Sequence, residues 1–317
     1  MPKPRALPLR AINRFLSPIY RQELYREILN RVAAFKPEIV MTYKGSRIQK
    51  DFVHCLRVQG CTVVNVYPDC SPHAHGAEHK QAMGAYDLVI SSKPFHPEMW
   101  QSVYGYNNRC VFVPQGYDPV LHLVPYSASE QRFDIGLVAT WRPEYNNLMK
   151  SLGNLLAGER VSVGIGGNGW MAHRGEFPPD WVFAGELQGR AYVEWLRSVR
   201  VCLAPVTREV VLNGIRQPGD EDTTRSYELA AAHCFFIHRR TQYARILYDE
   251  NTEVPMFDTP EELAEKILYF LPCIDERSRF ALAAHRRAVP AYSLDRRAKQ
   301  VVSAIEVFLG HDSVSSK

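Results

Sequence analysis

The chain is organised around residues 220–237, which read DEDTTRSYELAAAHCFFI. The acids and two threonines at its start are side chains that cap a helix, and residues 234–237 form an apolar run typical of a buried parallel strand. A loop, a helix start and a core strand in this order favour an anion site, because free N–H groups and the helix dipole attract negative charge. Arg225 could add a forked donor for a phosphate, and Glu228 could accept hydrogen bonds from the diol of a ribose or a sugar. The alternative is an ordinary surface helix with an Arg225–Glu228 pair.

Apolar runs alternate with helical patterns on both sides of this segment. Strands separated by single helices predict βαβ units, and therefore parallel sheets whose ligands bind beyond the carboxyl ends of the strands. Residues 119–131 lack a regular period and are interpreted as a linker. The fold class predicted is α/β, with two facing Rossmann-like domains, a cleft between them and C-terminal helices. The predicted strands are 36–43, 61–67, 86–91, 110–114, 133–139, 161–165, 182–183, 201–205, 234–237 and 254–257.

Composition excludes several classes of protein. The 317 residues are 46% hydrophobic and 23% charged, the balance of a soluble globular protein. No apolar run approaches the roughly 20 residues that span a bilayer, and the start of the chain has prolines where a signal peptide would be apolar. The net charge of +4 is too small to indicate a nucleic-acid partner by itself. Seven scattered cysteines without a Cys-x-x-Cys pair favour a reducing, cytoplasmic location.

Residues 11–35 have apolar and basic positions at helical spacing. The pattern predicts one or two amphipathic helices, with Pro18 as a break. Their arginines could place the protein peripherally on an anionic membrane surface, and a helix that packs on the core is the alternative. The arginines of the basic face are Arg10, Arg14, Arg21, Arg26 and Arg31.

Ordered motifs over residues 35–290 resemble the spore-maturation-protein-like (CgeB-type) glycosyltransferases. In the second half, the matching segments are IGLVATWR at 135–142 and TRSYELAAA at 224–232. Retaining relatives often carry two glutamates eight positions apart, whereas here Asp220 stands eight residues before Glu228. In the first half, the matching segments are FKPEIV at 35–40, YPD at 67–69, GAYDLV at 84–89 and VPQGYD at 113–118.

This resemblance implies a GT-B glycosyltransferase that needs no metal and takes a UDP- or GDP-linked sugar as its donor. It implies a short N-terminal acceptor domain, residues 1–124, and a C-terminal donor domain, residues 125–292. Residues 293–317 would be a helix that packs back on the N-terminal domain, followed by a tail. The acceptor is expected to be a hydroxyl group of a glycan, a lipid-linked molecule, a protein or a nucleic acid.

The chemistry of glycosyl transfer assigns roles within these motifs. The departing nucleoside diphosphate gains negative charge, which backbone N–H groups and cations must stabilise when no metal does. We expect Gly136 to end a strand and admit the phosphates, and Arg142 and Arg225 to pair with them. Glu228 would hold sugar or ribose hydroxyls and count as catalytic. The donor site would further include Trp141, Asp220, Thr224 and Tyr227. The glycine-rich residues 164–170 are interpreted as a flexible loop of the cleft or the nucleobase pocket.

Asp69 and three nearby histidines form the densest group of possible bases. Asp69 is predicted to act as the acid–base group that takes the proton of the acceptor hydroxyl. A metal site or a loop residue that holds a strand end are the alternatives at this position. For the whole chain, two other functions stay open: a transferase with a nucleic-acid base as acceptor, and a non-catalytic protein that binds a sugar or nucleotide. The histidines are His73, His75 and His79.

Overall fold

The computed structural model describes residues 7–123, 131–212 and 215–315. The chain divides into two compact units, Met1–Phe112 and Val113–Lys317. The predicted domain boundary between residues 124 and 125 lies outside the described residues, and the predicted domain limits remain predictions.

The first unit is a long helix followed by a parallel α/β sheet. Its four strands pair in the order β1-β2-β3-β4, all parallel, so each strand lies beside its neighbour in the chain. The four strands predicted for this half are confirmed. The elements are α1 (Leu7–Phe35), β1 (Ile39–Tyr43), α2 (Lys50–Val58), β2 (Thr62–Tyr67), α3 (Ala77–Met83), β3 (Leu88–Ser91), α4 (His96–Ser102) and β4 (Arg109–Phe112).

Helix α1 is continuous, so the predicted break at Pro18 is wrong. A proline removes one helical hydrogen bond, but packing further along the helix can outweigh that loss. Tyr25 stacks on Phe52 with ring centroids 3.9 Å apart, and Val32 is buried in the same core. Among the described helices, none has both the length and the apolar character that a bilayer crossing requires.

The second unit contains a six-stranded parallel sheet in the order β12-β11-β8-β5-β6-β7. The six strands predicted for this half are confirmed, with ends that differ by up to two residues. The elements are α5 (Pro119–His122), β5 (Phe133–Val138), α6 (Pro143–Leu155), β6 (Val163–Gly166), a 3-10 helix (Trp170–Glu176), β7 (Val182–Phe183), α7 (Gly189–Arg197), β8 (Val199–Ala204), β9 (Glu209–Leu212), β10 (Ile215–Pro218), α8 (Arg225–Ala231), β11 (Phe236–Arg239), α9 (Gln242–Leu247), β12 (Met256–Phe257), α10 (Pro260–Phe270), α11 (Ile274–Ala288) and α12 (Leu294–Ser315).

The strand order of this sheet reverses between β5 and β8. From β5 the chain first builds outward through β6 and β7, and it then crosses to β8, β11 and β12 on the other side. Connections leave such a reversal in opposite directions, which opens a crevice at the carboxyl ends of the two central strands. The sheet therefore marks one place, beyond the ends of β5 and β8, as the expected ligand position in this unit.

Two segments differ from the sequence-based prediction. The predicted linker at 119–131 begins with helix α5, which Asp118 caps by accepting a hydrogen bond from the N–H of Val120 at 2.8 Å. Its residues 124–130 lie outside the described residues. The antiparallel hairpin of β9 and β10, inserted between β8 and α8, had no counterpart in the prediction.

Gly136 lies inside β5 and does not end it, so that part of its predicted role is wrong. A Cβ atom at this position would lie 2.4 Å from Cγ2 of Val199, at the start of β8. The absence of a side chain at this position leaves room for Val199 on the neighbouring strand. This contact explains the glycine without a bound phosphate. Gly136 is thus a packing glycine of the sheet.

Replacing Gly136 with alanine is expected to lower the free energy of unfolding by about 1–3 kcal/mol, because the added methyl group overpacks a buried contact. The same change in a Val199→Ala background should cost much less, since the opposing methyl groups are gone. Gly153→Ala on α6 is the matched control: its Cβ would meet Trp181 at 3.5 Å, an ordinary contact, so stability should hold or rise. Urea unfolding measures the wild type, the three single variants and the double variant. Equal costs of Gly136→Ala in both backgrounds would contradict the packing argument.

Candidate active site

Arg225 is the first residue of α8 and lies across the reversal of strand order. Its Nη1 donates to the carbonyl oxygen of Val138, the last residue of β5, at 3.3 Å. Its Nη2 donates to the carbonyl oxygen of Pro205, directly after β8, at 2.8 Å. The guanidinium carbon lies 5.7 Å from the ring centroid of Tyr145, and Nε is buried without a partner in the described chain. The guanidinium is therefore held in place with donor capacity left over, since it has five N–H groups.

Glu228 follows one helical turn later and is held by a tyrosine. Its Oε2 accepts a hydrogen bond from the hydroxyl of Tyr192 on α7 at 2.7 Å, and 17% of the Glu228 side chain is exposed. Burial, and then the Glu228 carboxylate, raise the pKa of Tyr192 well above its ordinary value, so the hydroxyl stays protonated and donates. Tyr192 was missed by sequence reasoning because it lies 36 residues away in the chain, outside any motif.

His122 on α5 faces the other oxygen of the same carboxylate. Its Nδ1 donates to the carbonyl oxygen of Asp118 at 2.9 Å, and its buried Nε2 has no hydrogen-bond partner in the described chain. Nε2 lies 4.0 Å from Oε1 of Glu228. This gap is too wide for a hydrogen bond, so Glu228 Oε1 and His122 Nε2 face each other without being joined. The sequence offered only one hint, namely that His122 follows the segment VPQGYD.

Tyr227 is a core residue, which corrects its predicted role in donor binding. Its side chain is fully buried, and its hydroxyl donates to the carboxylate of Asp222. Burial, and then Asp222, raise the pKa of Tyr227 well above its ordinary value. Its ring meets that of Tyr292 edge-on, with centroids 5.7 Å apart. The side chain thus packs behind α8, in the core of the second unit.

The helix-capping part of the predicted anion site is also corrected. Helix α8 has only seven residues, and neither threonine side chain caps it. The carbonyl oxygen of Thr224 accepts the N–H groups of Tyr227 and Glu228 at 3.0 and 2.9 Å. Asp220 precedes the helix, and its N–H donates to Thr207 at 2.7 Å. Because these N–H groups donate to carbonyl oxygens of the protein, an anion would be attracted mainly by the fixed positive charge of Arg225.

The loop after β5 carries Trp141 and Arg142. The ring of Trp141 stacks on His173 with centroids 4.0 Å apart and planes at 4°, and its Nε1 donates to Asn146 at 3.1 Å. Arg142 is exposed and forms no ion pair within the described ranges. Its side chain is therefore available beside the end of β5.

The glycine-rich residues 164–170 are hydrogen-bonded to the loop that follows β5, which argues against the flexible loop predicted for them. Nε1 of Trp170 donates to the carbonyl oxygen of Ala139 at 2.7 Å, and the N–H of Trp141 donates to Asn168 at 2.8 Å. Gly169 has φ of 92°, and its Cβ would lie 2.9 Å from that of Trp141. Glycine at this position permits both the left-handed backbone and the close approach.

Asp69 lies in the first unit, after β2, and its carboxylate accepts hydrogen bonds from two side chains. Oδ2 accepts from Nζ of Lys44 at 2.8 Å and from Nε2 of His75 at 2.5 Å. Burial acts to raise the pKa of Asp69, but these two hydrogen bonds outweigh it, and the pKa lies below its ordinary value. A carboxylate that holds its charge so firmly is a poor proton acceptor, so the geometry favours Asp69 as the residue that orients His75.

The other two histidines of this group are engaged elsewhere. Nδ1 of His79 donates to the carbonyl oxygen of Gly45 at 3.2 Å, and burial lowers the pKa of His79 to about 4. His73 packs edge-on against Tyr104 with centroids 5.3 Å apart. Within the described residues, no group of three or more His, Cys, Asp or Glu side chains is arranged to hold a metal ion.

The lowered pKa of Asp69 predicts a pH-dependent contribution to stability. Because its folded pKa lies below that of an unfolded aspartate, about 3.9, its stabilisation is present above that pH and is lost as the pH falls through the folded value. Asp69→Asn should therefore lower the free energy of unfolding at pH 7, with a difference that shrinks towards pH 3. Urea unfolding at several pH values measures it, with exposed Asp180→Asn as the control. A difference independent of pH would contradict the assignment.

Comparisons with known proteins give the class of this chain. Its structure is similar to that of HepE from Anabaena in complex with UDP and glucose, with a TM-score of 0.67, 13% identity, and coverage of 90% of this chain and 82% of that one. It is also similar to sucrose-phosphate synthase from Thermosynechococcus elongatus, with a TM-score of 0.65, 12% identity, and coverage of 92% and 78%. The fold is therefore that of the GT-B glycosyltransferases, with two Rossmann-like domains and C-terminal helices, as predicted.

The sequence comparison adds the family. Residues 142–303, about half of the chain, match the family described as glycosyl transferase-like, and the chain belongs to it. The protein is a glycosyltransferase. None of the curated proteins matches the sequence. The matched region includes Arg225 and Glu228.

Proposed function

We propose that this glycosyltransferase transfers a sugar from a UDP- or GDP-linked donor, bound by the second unit, to a hydroxyl acceptor, without a requirement for a metal. The observation that carries the proposal is the position of Arg225, whose guanidinium spans the carboxyl ends of β5 and β8. Parallel sheets of this kind bind their ligands at the reversal of strand order. A diphosphate is the ligand that a fixed guanidinium with free donors suits best.

Charge stabilisation of the leaving group would come from Arg225 and Arg142. As the bond between the sugar and the diphosphate breaks, negative charge develops on the phosphate oxygens, and a cation held in place stabilises it without reorganisation. Arg225 is held by two backbone carbonyls, whereas the exposed Arg142 would have to move towards the phosphates.

Glu228 would bind hydroxyl groups of the ribose or the donor sugar. Tyr192 occupies one carboxylate oxygen at 2.7 Å, which leaves Oε1 for the substrate. A hydroxyl group near that oxygen could donate a hydrogen bond to Glu228, and it would also lie close to Nε2 of His122. That nitrogen has no hydrogen-bond partner in the described chain. This pair would orient the sugar relative to the diphosphate.

UDP is the first nucleotide to test, because structures of HepE contain UDP with glucose and UDP-glucose. HepE is 11–13% identical to this chain, so its UDP supports the choice of the nucleotide to test and does not identify the donor sugar. For the acceptor side we propose that His75, oriented by Asp69, takes the hydroxyl proton. The CgeB-type assignment, the cytoplasmic location, the contact of α1 with a membrane surface and the chemical class of the acceptor remain predictions.

The test is to incubate the purified protein with UDP- and GDP-sugars, with and without EDTA, and to measure hydrolysis or transfer. Nucleotide binding is measured in parallel by isothermal titration calorimetry. We expect saturable binding of one nucleoside diphosphate and slow, EDTA-resistant hydrolysis of its sugar conjugate. Absence of both turnover and nucleotide binding would overturn the proposal, and activity lost in EDTA would overturn its metal-independent part.

A further inference from the structure

A cavity of about 220 Å³ lies in the second unit, at the carboxyl ends of β8 and β11. Tyr145, Pro205 and Phe257 form part of its wall, together with the side chains of Arg208 and Arg239. None of the residues predicted for donor binding lines this cavity. It is therefore a different feature from the position between Arg225 and Glu228.

Arg239, the last residue of β11, is a buried cation with no carboxylate in ion-pair contact among the described residues. Its side chain is 8% exposed, its Nε is buried without a hydrogen-bond partner, and it forms no ion pair within the described parts of the chain. Its guanidinium carbon lies 5.1 Å from the ring centroid of Phe257. Burial of an unpaired charge is costly, so such a residue is expected to have a partner that binds from outside.

The neighbouring Arg240 shows how this chain satisfies an arginine that has only a structural role. Its guanidinium donates to three carboxylates, those of Glu250, Asp258 and Glu262. The difference between adjacent arginines indicates that the lack of a partner at Arg239 is a local property of the cavity and not of this part of the sheet.

Arg208 adds a second positive charge at the same cavity. Its backbone N–H donates to both carboxylate oxygens of Glu144, each at 3.1 Å, while its own side chain is exposed. Burial and then the nearby Arg208 lower the pKa of Arg239, and they outweigh the opposite effect of the carboxylates of Asp258, Glu144 and Glu262. Glu144 is the acidic residue among the lining residues, so two guanidinium groups oppose one carboxylate there.

We propose that this cavity binds a phosphate group of a small molecule, or free phosphate, at a site separate from the donor diphosphate. Two guanidinium groups match a dianion that offers several acceptor oxygens, and arginine forks bind phosphate in a bidentate way. A volume equal to roughly seven water molecules accepts a phosphate with a few attached atoms. The aromatic faces of Tyr145 and Phe257 would cover the apolar part.

The site would be adjacent to Arg225 and still distinct from it. Pro205 and Tyr145 line the cavity, and the same two residues hold the guanidinium of Arg225. A ligand in the cavity would thus share a wall with the donor-binding arginine.

Calorimetric titration of the full-length protein with inorganic phosphate, in a phosphate-free buffer at constant ionic strength, tests the proposal. We expect saturable binding that Arg208→Gln and Arg239→Gln each weaken by about tenfold or more, since each removes a charged hydrogen bond. Arg190→Gln, at an exposed arginine of α7, is the matched control and should leave the affinity unchanged. If Arg239→Gln does not fold, the exposed Arg208 decides: wild-type affinity in Arg208→Gln would overturn the proposal.

Further arms identify the ligand and separate the two sites. Glucose 6-phosphate should compete with inorganic phosphate if the natural ligand is a phosphate ester; if only inorganic phosphate binds, the site takes the free anion. Acetate that binds more tightly than phosphate would overturn the phosphate assignment. Arg225→Ala should leave phosphate binding intact; if it abolishes binding while Arg208→Gln does not, phosphate occupies the donor site and the proposal is wrong. UDP titrated into the wild type tests the donor site independently.

Discussion

Replacing Arg225 with alanine is expected to lower kcat/KM for the nucleotide-sugar donor by about 10²–10³-fold, the loss typical of removing one charge-stabilising donor. The guanidinium lies at the ends of β5 and β8, where the leaving diphosphate would gain negative charge. Binding of the free nucleoside diphosphate should weaken as well, because its charge resembles that of the leaving group. Steady-state kinetics and calorimetry measure the two effects.

A matched control is needed because Arg225 also stabilises the fold through two backbone carbonyls. Arg277 on α11 donates to the carbonyl oxygens of Phe270 and Leu271, so Arg277→Ala removes similar bonds away from the strand reversal. We expect Arg277→Ala to lower the unfolding temperature and to keep its kcat/KM at temperatures where it is folded. Equal losses of activity in both variants, or unchanged kinetics in Arg225→Ala, would remove Arg225 from the site.

Replacing Glu228 with glutamine is expected to keep the fold and to lower activity by about 10- to 100-fold. The amide oxygen of glutamine can still accept from Tyr192, but it loses the charge that strengthens a hydrogen bond to a sugar or ribose hydroxyl. Separate values of kcat and KM show whether the contact acts in the ground state or only in the transition state. Thermal unfolding confirms that the protein is intact.

Two further variants make the result on Glu228 specific. Glu194→Gln, at an exposed glutamate of α7 that pairs with Arg190, removes the same charge elsewhere and should keep full activity. Tyr192→Phe removes the hydroxyl that fixes Glu228 and should give a smaller loss, because the carboxylate remains. Full activity in Glu228→Gln would refute its role in binding the sugar.

Much of the fold could be predicted because its elements depend on neighbouring residues. The ten strands of the two parallel sheets were found from short apolar runs, and the start of α10 from a local cap, where Oγ1 of Thr259 accepts the N–H of Glu262 at 3.2 Å. The errors have a different origin. Helix α1 continues through Pro18 because packing overrides a local breaker. The β9–β10 hairpin was missed although Asn213-Gly214, a typical hairpin signal, stands between its two strands in the sequence.

The candidate site was predictable only along one helix. Residues 225 and 228 are separated by nearly one turn, so their side chains share a face of α8. Tyr227 is two residues after Arg225, so its side chain lies on the opposite side of α8, in the core. Its assignment to the donor site did not take this position into account. His122 and Tyr192 could not be found, because nothing in the residues around them indicates that they meet Glu228.

The sequence by itself determined the alternation of strands and helices, the parallel sheets that follow from it, and the position of an arginine and a glutamate on one short helix. These depend on backbone hydrogen bonds and burial over a few residues. Only the tertiary structure decided that Arg225 reaches a carbonyl 87 residues away at the end of β5, and that Arg208 and Arg239 face one cavity. Such contacts depend on the order in which the strands pair, since strand order determines which distant loops meet at the edge of the sheet.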